Sequence, residues 1–245
     1  MSLVITHLTG GYANVPILHD LDLTLQEGEV LGLIGLNGAG KSTTIKHLLG
    51  LIQPMKGKIE LNGLNLSENP TAFKRQIGYI PETPAIYPEL TLKEHLQLTM
   101  LAYGLDEKKA WPYAEQFLKA FRLEGKEDWL PIHFSKGMQQ KVMITASLLA
   151  QPALLLIDEP FTGLDPLAAE VLLNALTQLR NDGKMILMTT HDLAQVKDVV
   201  DKFAILNHGT IEFCGDLSQI QQHYHLTRQD DFAQLYHILS QEHIR

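Results

Sequence analysis

The chain has 245 residues and a formal net charge of −8 at pH 7, and hydrophobic residues make up 45% of it. This length suits one α/β domain with insertions, and the acidity argues against nucleic acid as a partner. The single cysteine, Cys214, cannot form an internal disulfide, which favours a reducing cytoplasm. The sequence has no basic leader and no apolar run of membrane-spanning length, so we expect neither a signal peptide nor a transmembrane helix.

The N-terminal segment predicts strands. Apolar and polar residues alternate from Ser2 to His7 and from Ile17 to Leu25. This pattern is typical of half-buried strands, and the second run would bury Ile17. The pair Gly10-Gly11 predicts a turn between them, just ahead of Tyr12. A tyrosine beside two glycines is, by itself, most simply a residue at a strand end.

A phosphate-binding loop follows the apolar run Val30–Ile34. It reads Gly35-Leu36-Asn37-Gly38-Ala39-Gly40-Lys41-Ser42-Thr43 and fits the pattern G-x-x-x-x-G-K-[ST]. The candidate nucleotide-binding residues are Gly35, Asn37, Gly38, Ala39, Gly40, Lys41, Ser42 and Thr43. A helix predicted from Ser42 to Leu49 would direct its positive end at the bound anion. Lys41 would reach the β- and γ-phosphates, and Ser42 would ligate Mg²⁺. A plain glycine-rich turn is the alternative, which the strand before the motif and the helix after it argue against.

Helices are predicted from roughly residue 83 to residue 150, as an insertion in an α/β fold. The strand pattern ends near Glu82, after which two prolines precede the capping box Thr91–Glu94. A second helix is predicted to start near Pro112, because proline suits a first helical turn. We assign the aromatic residues of this region to core packing.

Carboxylates follow the next buried strand. Leu154–Ile157 is an apolar run typical of a central parallel strand, and Asp158 and Glu159 come directly after it. At that end of a strand Asp158 is a candidate Mg²⁺ partner and Glu159 a candidate to orient or deprotonate water. Asp165 is predicted to cap the next helix. Another buried strand, 185–188, delivers His191 beside these carboxylates, and an amphipathic helix containing Tyr236 is predicted in the tail.

The order of these motifs resembles that of the ATP-binding subunits of ABC transporters, from the N-terminus to about Gly215. The family signature, L-S-G-G-Q, is matched by Phe134-Ser135-Lys136-Gly137-Met138, with Gln139 following. Lys136 replaces one glycine and Met138 replaces the glutamine, a variant that resembles bacterial exporter ATPases. Together with Tyr79-Ile80-Pro81-Glu82-Thr83-Pro84, this stretch is most similar to the Ecs-type exporter ATPases of Gram-positive bacteria.

The resemblance implies a fold and a division of the chain. The fold would be α/β, a RecA-like P-loop NTPase core with an N-terminal antiparallel β subdomain and an inserted α-helical subdomain. Residues 1–245 would form one ABC ATPase domain. Its nucleotide-binding core would comprise 1–82 and 151–216, its helical subdomain 83–150, and its C-terminal helical extension 217–245.

The resemblance also implies roles for individual residues. Tyr12 would stack on adenine. The signature stretch, Ser135, Lys136, Gly137, Met138 and Gln139, would face the γ-phosphate bound by another subunit. Asp165 would lie in the inter-subunit loop, Glu159 would be the general base, and His191 would contact the γ-phosphate. Glu82 stands where the family normally has a glutamine near Mg²⁺, so we assign it to the metal site with Ser42 and Asp158.

The implied function is hydrolysis of ATP with Mg²⁺, in a dimer of two ATPase subunits that drives a separate integral membrane subunit. The protein would then be cytoplasmic and peripheral on the inner face of the membrane, with no nucleic acid partner. A soluble ABC-type ATPase acting on DNA or ribosomes is one alternative, although neither the long coiled coil nor the second cassette of such proteins would fit in 245 residues and the acidic charge disfavours nucleic acid. A P-loop kinase or GTPase is another, although the guanine-reading motif Asn-Lys-x-Asp is absent from the sequence. A degenerate, non-hydrolysing module is the third, and the presence of Glu159 and His191 argues against it.

Overall fold

The polypeptide forms two β-sheets with helices packed around them. A computed structural model describes residues 1–190, 193–226 and 233–242. The strands are β1 (Ser2–Tyr12), β2 (Val15–Gln26), β3 (Val30–Ile34), β4 (Lys56–Leu61), β5 (Leu64–Asn65), β6 (Ile77–Ile80), β7 (Leu154–Asp158), β8 (Met185–Thr189), β9 (Lys202–Asn207) and β10 (Thr210–Gly215). The helices are α1 (Lys41–Leu48), α2 (Pro70–Lys74), α3 (Leu92–Tyr103), α4 (Glu107–Ala120), α5 (Lys136–Leu149), α6 (Pro166–Asn181), α7 (Leu193–Val196), α8 (Leu217–His223) and α9 (Ala233–Glu242).

The larger sheet runs in the order β10-β9-β3-β8-β7-β6, and only β10 pairs antiparallel within it. Strands β3, β7 and β8 are buried along their whole length, as their apolar sequences predict for strands covered on both faces. The smaller sheet, β2-β1-β4-β5, is antiparallel. The α/β core, the N-terminal antiparallel subdomain and the helical insertion expected from the sequence are confirmed. Because β3, β6, β7 and β8 are parallel, the segments that follow them emerge at one edge of the sheet.

The predicted turn at Gly10-Gly11 is wrong, because β1 continues to Tyr12 and the chain reverses at residues 13 and 14. The glycines allow close approach instead. A Cβ atom on Gly10 would lie 2.1 Å from Nε2 of His47, and one on Gly11 would lie 2.1 Å from the carbonyl oxygen of Val15. This part of β1 therefore packs directly against α1.

The predicted burial of Ile17, at the start of the alternating run in β2, is wrong. Leu18 is fully buried and Ile17 only half-buried, whereas the later apolar residues of the strand are buried as expected. The register between β1 and β2 shifts between the pairs Leu8–Leu21 and Gly10–Leu18. Such a bulge reverses the faces of the residues on either side of it, which a simple alternation does not anticipate.

The helical insertion begins as predicted but α4 does not. Thr91 caps α3 in a capping box with Glu94. Helix α4 starts at Glu107, where Asp106 accepts a hydrogen bond from the amide of Lys108, so Pro112 lies inside the helix and the predicted start is wrong. The capping carboxylate determines the first turn in this case.

The C-terminal helices pack on the main core. Leu235 and Leu239 of α9 are 0% exposed and join the hydrophobic cluster that includes Phe203 and Ile205 of β9. Within the residues that the structure describes, we find no helix with the length and apolarity needed to cross a bilayer.

Candidate active site

The edge of the sheet where β3, β6 and β7 end opens into a cleft of about 730 Å³. It is lined by Ile17, Gly35, Leu36, Asn37, Gly38, Gly40, Lys41, Ser42, Thr43, Glu82, Asp158, Glu159 and Tyr236. The phosphate-loop residues, the predicted metal residues and Glu159 are thus brought together, although they come from distant parts of the sequence. Ala39 is buried behind the loop, where its carbonyl accepts a hydrogen bond from the amide of Gly209.

The phosphate loop is held tightly against β9. A Cβ atom on Gly35 would lie 2.3 Å from the carbonyl oxygen of Leu206, so this position admits only glycine without a shift of the loop. Gly40 has a φ of 114° and precedes α1, whose N-terminus receives no side-chain cap. The first amides of α1 therefore remain available to a ligand in the cleft, with the positive end of the helix dipole behind them.

Lys41 points its ammonium group into the loop. Its Nζ donates hydrogen bonds to the carbonyl oxygens of Gly35 at 2.7 Å and Leu36 at 3.2 Å. Burial lowers the pKa of Lys41, while the negative charges of Glu159 and Asp158 act in the opposite direction. A phosphate group in the cleft would add negative charge close to this ammonium and offset the desolvation.

The carboxylates after β7 are linked through Thr189 of the neighbouring strand. Its Oγ1 donates a hydrogen bond of 2.6 Å to Oδ1 of Asp158, which is only 7% exposed. The same Oγ1 and the carbonyl oxygen of Thr189 each lie 3.2 Å from the amide nitrogen of Glu159, which donates to them. Thr189 was not among the candidate residues from the sequence. Its role depends on the pairing of Asp158 with Thr189 across β7 and β8, and the sequence does not reveal that register.

Glu82 also lines this cleft, directly after β6 and Pro81. Burial, aided by the negative charges of Asp158 and Glu82, raises the pKa of Tyr79 to about 12. Helix α5 holds the end of β6 in place, since Gln140 donates a hydrogen bond of 2.9 Å to the carbonyl oxygen of Pro81. The hydroxyl of Ser42 and the carboxylates of Glu82 and Asp158 are hard oxygen donors around one space. This donor set fits Mg²⁺.

Tyr12 lies outside the residues that line the cleft, at the end of β1 beside α1. The residue is 42% exposed, and its hydroxyl accepts a hydrogen bond of 3.1 Å from Nζ of Lys46. The same Nζ lies over the ring, 5.3 Å from its centroid, so only the part of the ring that this ammonium leaves uncovered can meet a flat ligand.

The signature stretch forms the start of α5, away from the cleft of its own chain. Ser135 caps the helix through a 3.3 Å hydrogen bond from the amide of Met138, and Ser135 and Lys136 are exposed. Gln139 donates a hydrogen bond of 3.0 Å to the carbonyl oxygen of Pro131. None of the residues from 135 to 139 lines the described cleft.

The loop that follows Glu159 packs against α5. A Cβ atom on Gly137 would lie 2.5 Å from the carbonyl oxygen of Gly163. Asp165 caps α6 as predicted, accepting from the amide of Ala168 at 2.9 Å, and its Oδ2 lies 2.6 Å from Nζ of Lys141. Hydrogen bonds from Lys141 and from the amide of Ala168 lower the pKa of Asp165.

His191 lies outside the described residues, two positions beyond the end of β8. The residue before it, Thr190, is 2% exposed, and its carbonyl oxygen accepts a hydrogen bond of 3.3 Å from the hydroxyl of Tyr236. Burial raises the pKa of Tyr236, and the negative charge of Glu159 adds to the effect. The sequence predicts the amphipathic helix that carries Tyr236 but contains no local signal that this helix reaches the cleft.

The model of the family described as ABC transporter matches residues 18–162. The chain belongs to the ABC transporter family. It is 49% identical over 225 residues to the ABC-type transporter ATP-binding protein EcsA of Bacillus subtilis (strain 168), covering 91% of each chain. Among solved structures, one described as the ATP-binding subunit of an ABC transporter shares 45% identity and a TM-score of 0.93, covering 98% of this chain and all of that one.

A second solved structure is the dimeric, post-hydrolysis state of the ATP-binding cassette MJ0796 bound to ADP and Pi. It is 25% identical, with a TM-score of 0.78, and the match covers 88% of this chain and 98% of that one. The predictions of an ABC-type ATPase fold, of ATPase activity and of a resemblance to Ecs-type subunits are confirmed. This member of the ABC family is therefore an ATP-binding ATPase subunit.

Proposed function

We propose that this protein hydrolyses ATP with Mg²⁺ as one of two ATPase subunits, and drives export through a separate membrane-spanning subunit. The observation that carries the proposal is the cleft itself. It joins a phosphate loop, an ammonium group and the carboxylates of Glu82, Asp158 and Glu159. Phosphoryl transfer needs little else from a protein than such positioning and charge.

Each side chain has a part in this reaction. Loop amides from Gly35 to Thr43 hold the phosphates, and Lys41 exchanges its contacts with loop carbonyls for contacts with phosphate oxygens. Ser42, Asp158 and Glu82 would hold Mg²⁺, which would offset phosphate charge when bound. Glu159 orients the attacking water and accepts its proton. We assign His191 to the γ-phosphate and Tyr12 to the adenine ring.

The position of the signature stretch supports the proposed dimer. Ser135 and Lys136 are exposed at the N-terminus of α5 and do not line the cleft of their own chain. They are available to complete the nucleotide site of a second copy, in an isologous arrangement that buries both ATP molecules. The related cassette MJ0796 is described as dimeric with ADP and Pi bound, which supports this assembly.

Coupling to a membrane subunit would use the helical insertion. We propose the division given above: core 1–82 and 151–216, helical subdomain 83–150 and extension 217–245. Large apolar side chains are exposed on the insertion, namely Tyr87, Leu98, Leu101, Trp129 and Ile132. The backbone at Tyr87 is fixed, since its amide donates a hydrogen bond of 3.0 Å to Nε2 of His95 in α3. A partner bound here would place the protein on the cytoplasmic face of the membrane.

The proposal of hydrolysis is tested with Glu159→Gln, which keeps the shape of the side chain and removes the base. We expect normal ATP binding, loss of most turnover and an ATP-bound dimer on gel filtration with Mg²⁺ and ATP. Glu170→Gln, an exposed carboxylate on α6, is the matched control and should behave as the parent. Normal turnover of Glu159→Gln would remove Glu159 from its role, and a persistent monomer would contradict the dimer.

Coupling is tested separately by isolating the tagged protein from detergent-solubilised membranes of its host. We expect a polytopic membrane protein to co-purify in stoichiometric amount, and Leu101→Asp to weaken its recovery, because Leu101 is 79% exposed on the insertion. Recovery from the soluble fraction alone would favour a soluble ABC-type ATPase.

A further inference from the structure

The C-terminal helix α9 reaches the nucleotide cleft, a contact that the family motifs do not assign. We propose that Tyr236 is a positioning residue for ATP hydrolysis, and that α9 is thereby part of the active site of its own chain. The proposal rests on the proposed function, because it concerns the same cleft.

Helix α9 is anchored to the hydrophobic core by two buried leucines. Leu235 and Leu239 are 0% exposed within the main hydrophobic cluster, and they flank Tyr236 along the helix. Burial of two leucines fixes the helix axis, so that the ring of Tyr236 becomes part of the wall of the cleft. The ring is held by packing and only its hydroxyl makes the polar contact.

The hydroxyl of Tyr236 forms a hydrogen bond with the segment that precedes His191. It donates to the carbonyl oxygen of Thr190 at 3.3 Å. Thr189, one residue earlier, hydrogen-bonds to Asp158 and accepts from the amide of Glu159. Tyr236 therefore restrains Thr190, which lies in the sequence between Thr189, the residue that contacts the carboxylates, and His191.

The phenol remains a donor at physiological pH. Burial and the nearby negative charge of Glu159 both disfavour its ionised form and raise its pKa. Because the phenol O–H donates its hydrogen bond to the carbonyl oxygen of Thr190, the phenol is assigned to positioning the backbone and not to proton transfer. The expected loss on removing it is that of one neutral hydrogen bond, seen in kcat and not in ATP affinity.

The test compares Tyr236→Phe with Tyr224→Phe. The second residue belongs to the same extension, but its ring packs against Phe213 and His223, outside the residues that line the cleft. For Tyr236→Phe we expect kcat to fall about two- to tenfold, with the KM for ATP within about twofold of the parent and the Tm lowered by only about 2–4 °C. Tyr224→Phe should retain the kcat of the parent. An unchanged kcat for Tyr236→Phe, or equal losses in both variants, would overturn the proposal.

Hydrogen exchange in the nucleotide-free protein gives a second readout that does not depend on turnover. Peptides spanning residues 188 to 196 should exchange faster in Tyr236→Phe than in the parent or in Tyr224→Phe. Equal exchange in all three proteins would overturn the positioning contact even if the protein did not hydrolyse ATP. If the parent protein itself did not hydrolyse ATP, faster exchange in Tyr236→Phe would still support the positioning contact, and only the proposed function would be contradicted.

Discussion

Thr189→Val removes a hydroxyl and leaves the shape of the side chain almost unchanged. In the folded protein this hydroxyl donates to Asp158 at 2.6 Å and accepts from the amide of Glu159 at 3.2 Å. Valine provides neither interaction. Asp158 would lose this donor in a site that is only 7% exposed, and the carboxylate would turn toward any other donor.

The magnitude follows from these contacts. A hydrogen bond to a charged group contributes about 1.5–3 kcal/mol, and an acceptor left unsatisfied in a buried site loses this in full. The amide of Glu159 loses less, because it keeps the carbonyl oxygen of Thr189 at 3.2 Å. If the Asp158 carboxylate holds Mg²⁺ only in its present orientation, kcat should fall by about 10- to 150-fold, at about 1.4 kcal/mol for each factor of ten.

The assay is steady-state ATP hydrolysis at several Mg²⁺ concentrations, with Thr189→Ser as the matched control. Serine retains the hydroxyl and loses one methyl group, which costs about 0.8 kcal/mol of stability but leaves the hydrogen bonds in place. We expect Thr189→Val to need more Mg²⁺ and to turn over slowly even at saturation, and Thr189→Ser to resemble the parent. Parent-like Mg²⁺ dependence and kcat in Thr189→Val would refute the idea that Thr189 orients the carboxylates.

Three further outcomes are expected. In EDTA, Glu82→Gln should bind ATP more tightly than the parent, because a negative charge near the phosphates is lost, and its turnover with saturating Mg²⁺ should stay within about tenfold; superimposable ATP titrations would show that Glu82 does not face the metal. Lys41→Ala should weaken ATP binding far more than Tyr12→Ala, because a charge-assisted phosphate contact exceeds base stacking of about 1–3 kcal/mol; equal losses would contradict this ranking. Gly10→Ala should lower the free energy of unfolding by about 1–3 kcal/mol, because its Cβ would lie 2.1 Å from Nε2 of His47; in urea titrations the same change should cost less in a His47→Ala background, and an equal cost in both backgrounds would mean that the clash lies elsewhere.

The parts of this protein that the sequence predicts well are those whose physics is local. The phosphate loop, the capping box at Thr91 and the cap at Asp165 depend on residues within a few positions of one another. The sequence also predicts β3, β7 and β8 from their apolar runs, because strands that are buried on both faces contain few polar residues. From the parallel order of these strands, the meeting of the phosphate loop with Asp158 also follows.

The parts that the sequence does not reveal depend on long-range contacts. Thr189 becomes important only because β7 and β8 pair with a particular register. Tyr236 reaches the cleft only because α9 buries two leucines against the core. The pair Gly10-Gly11 predicts a turn, whereas in the structure Gly10 allows β1 to approach His47 on α1. In each case a side chain far along the chain supplies the missing half of the interaction.

The contacts within one chain also bear on how two sites would act together in the proposed dimer. The loop from Glu159 to Asp165 lies on α5, through the close approach of Gly137 to Gly163 and the 2.6 Å pair between Lys141 and Asp165. The Lys141 side chain is 11% exposed and that of Asp165 is 53% exposed, so solvent and salt reach the pair from the side of the aspartate. The N-terminus of the same helix would face the nucleotide of the partner. A movement of α5 on closure over the partner's ATP would therefore shift the loop that follows its own Glu159, so we expect hydrolysis at the two sites of the proposed dimer to be coupled.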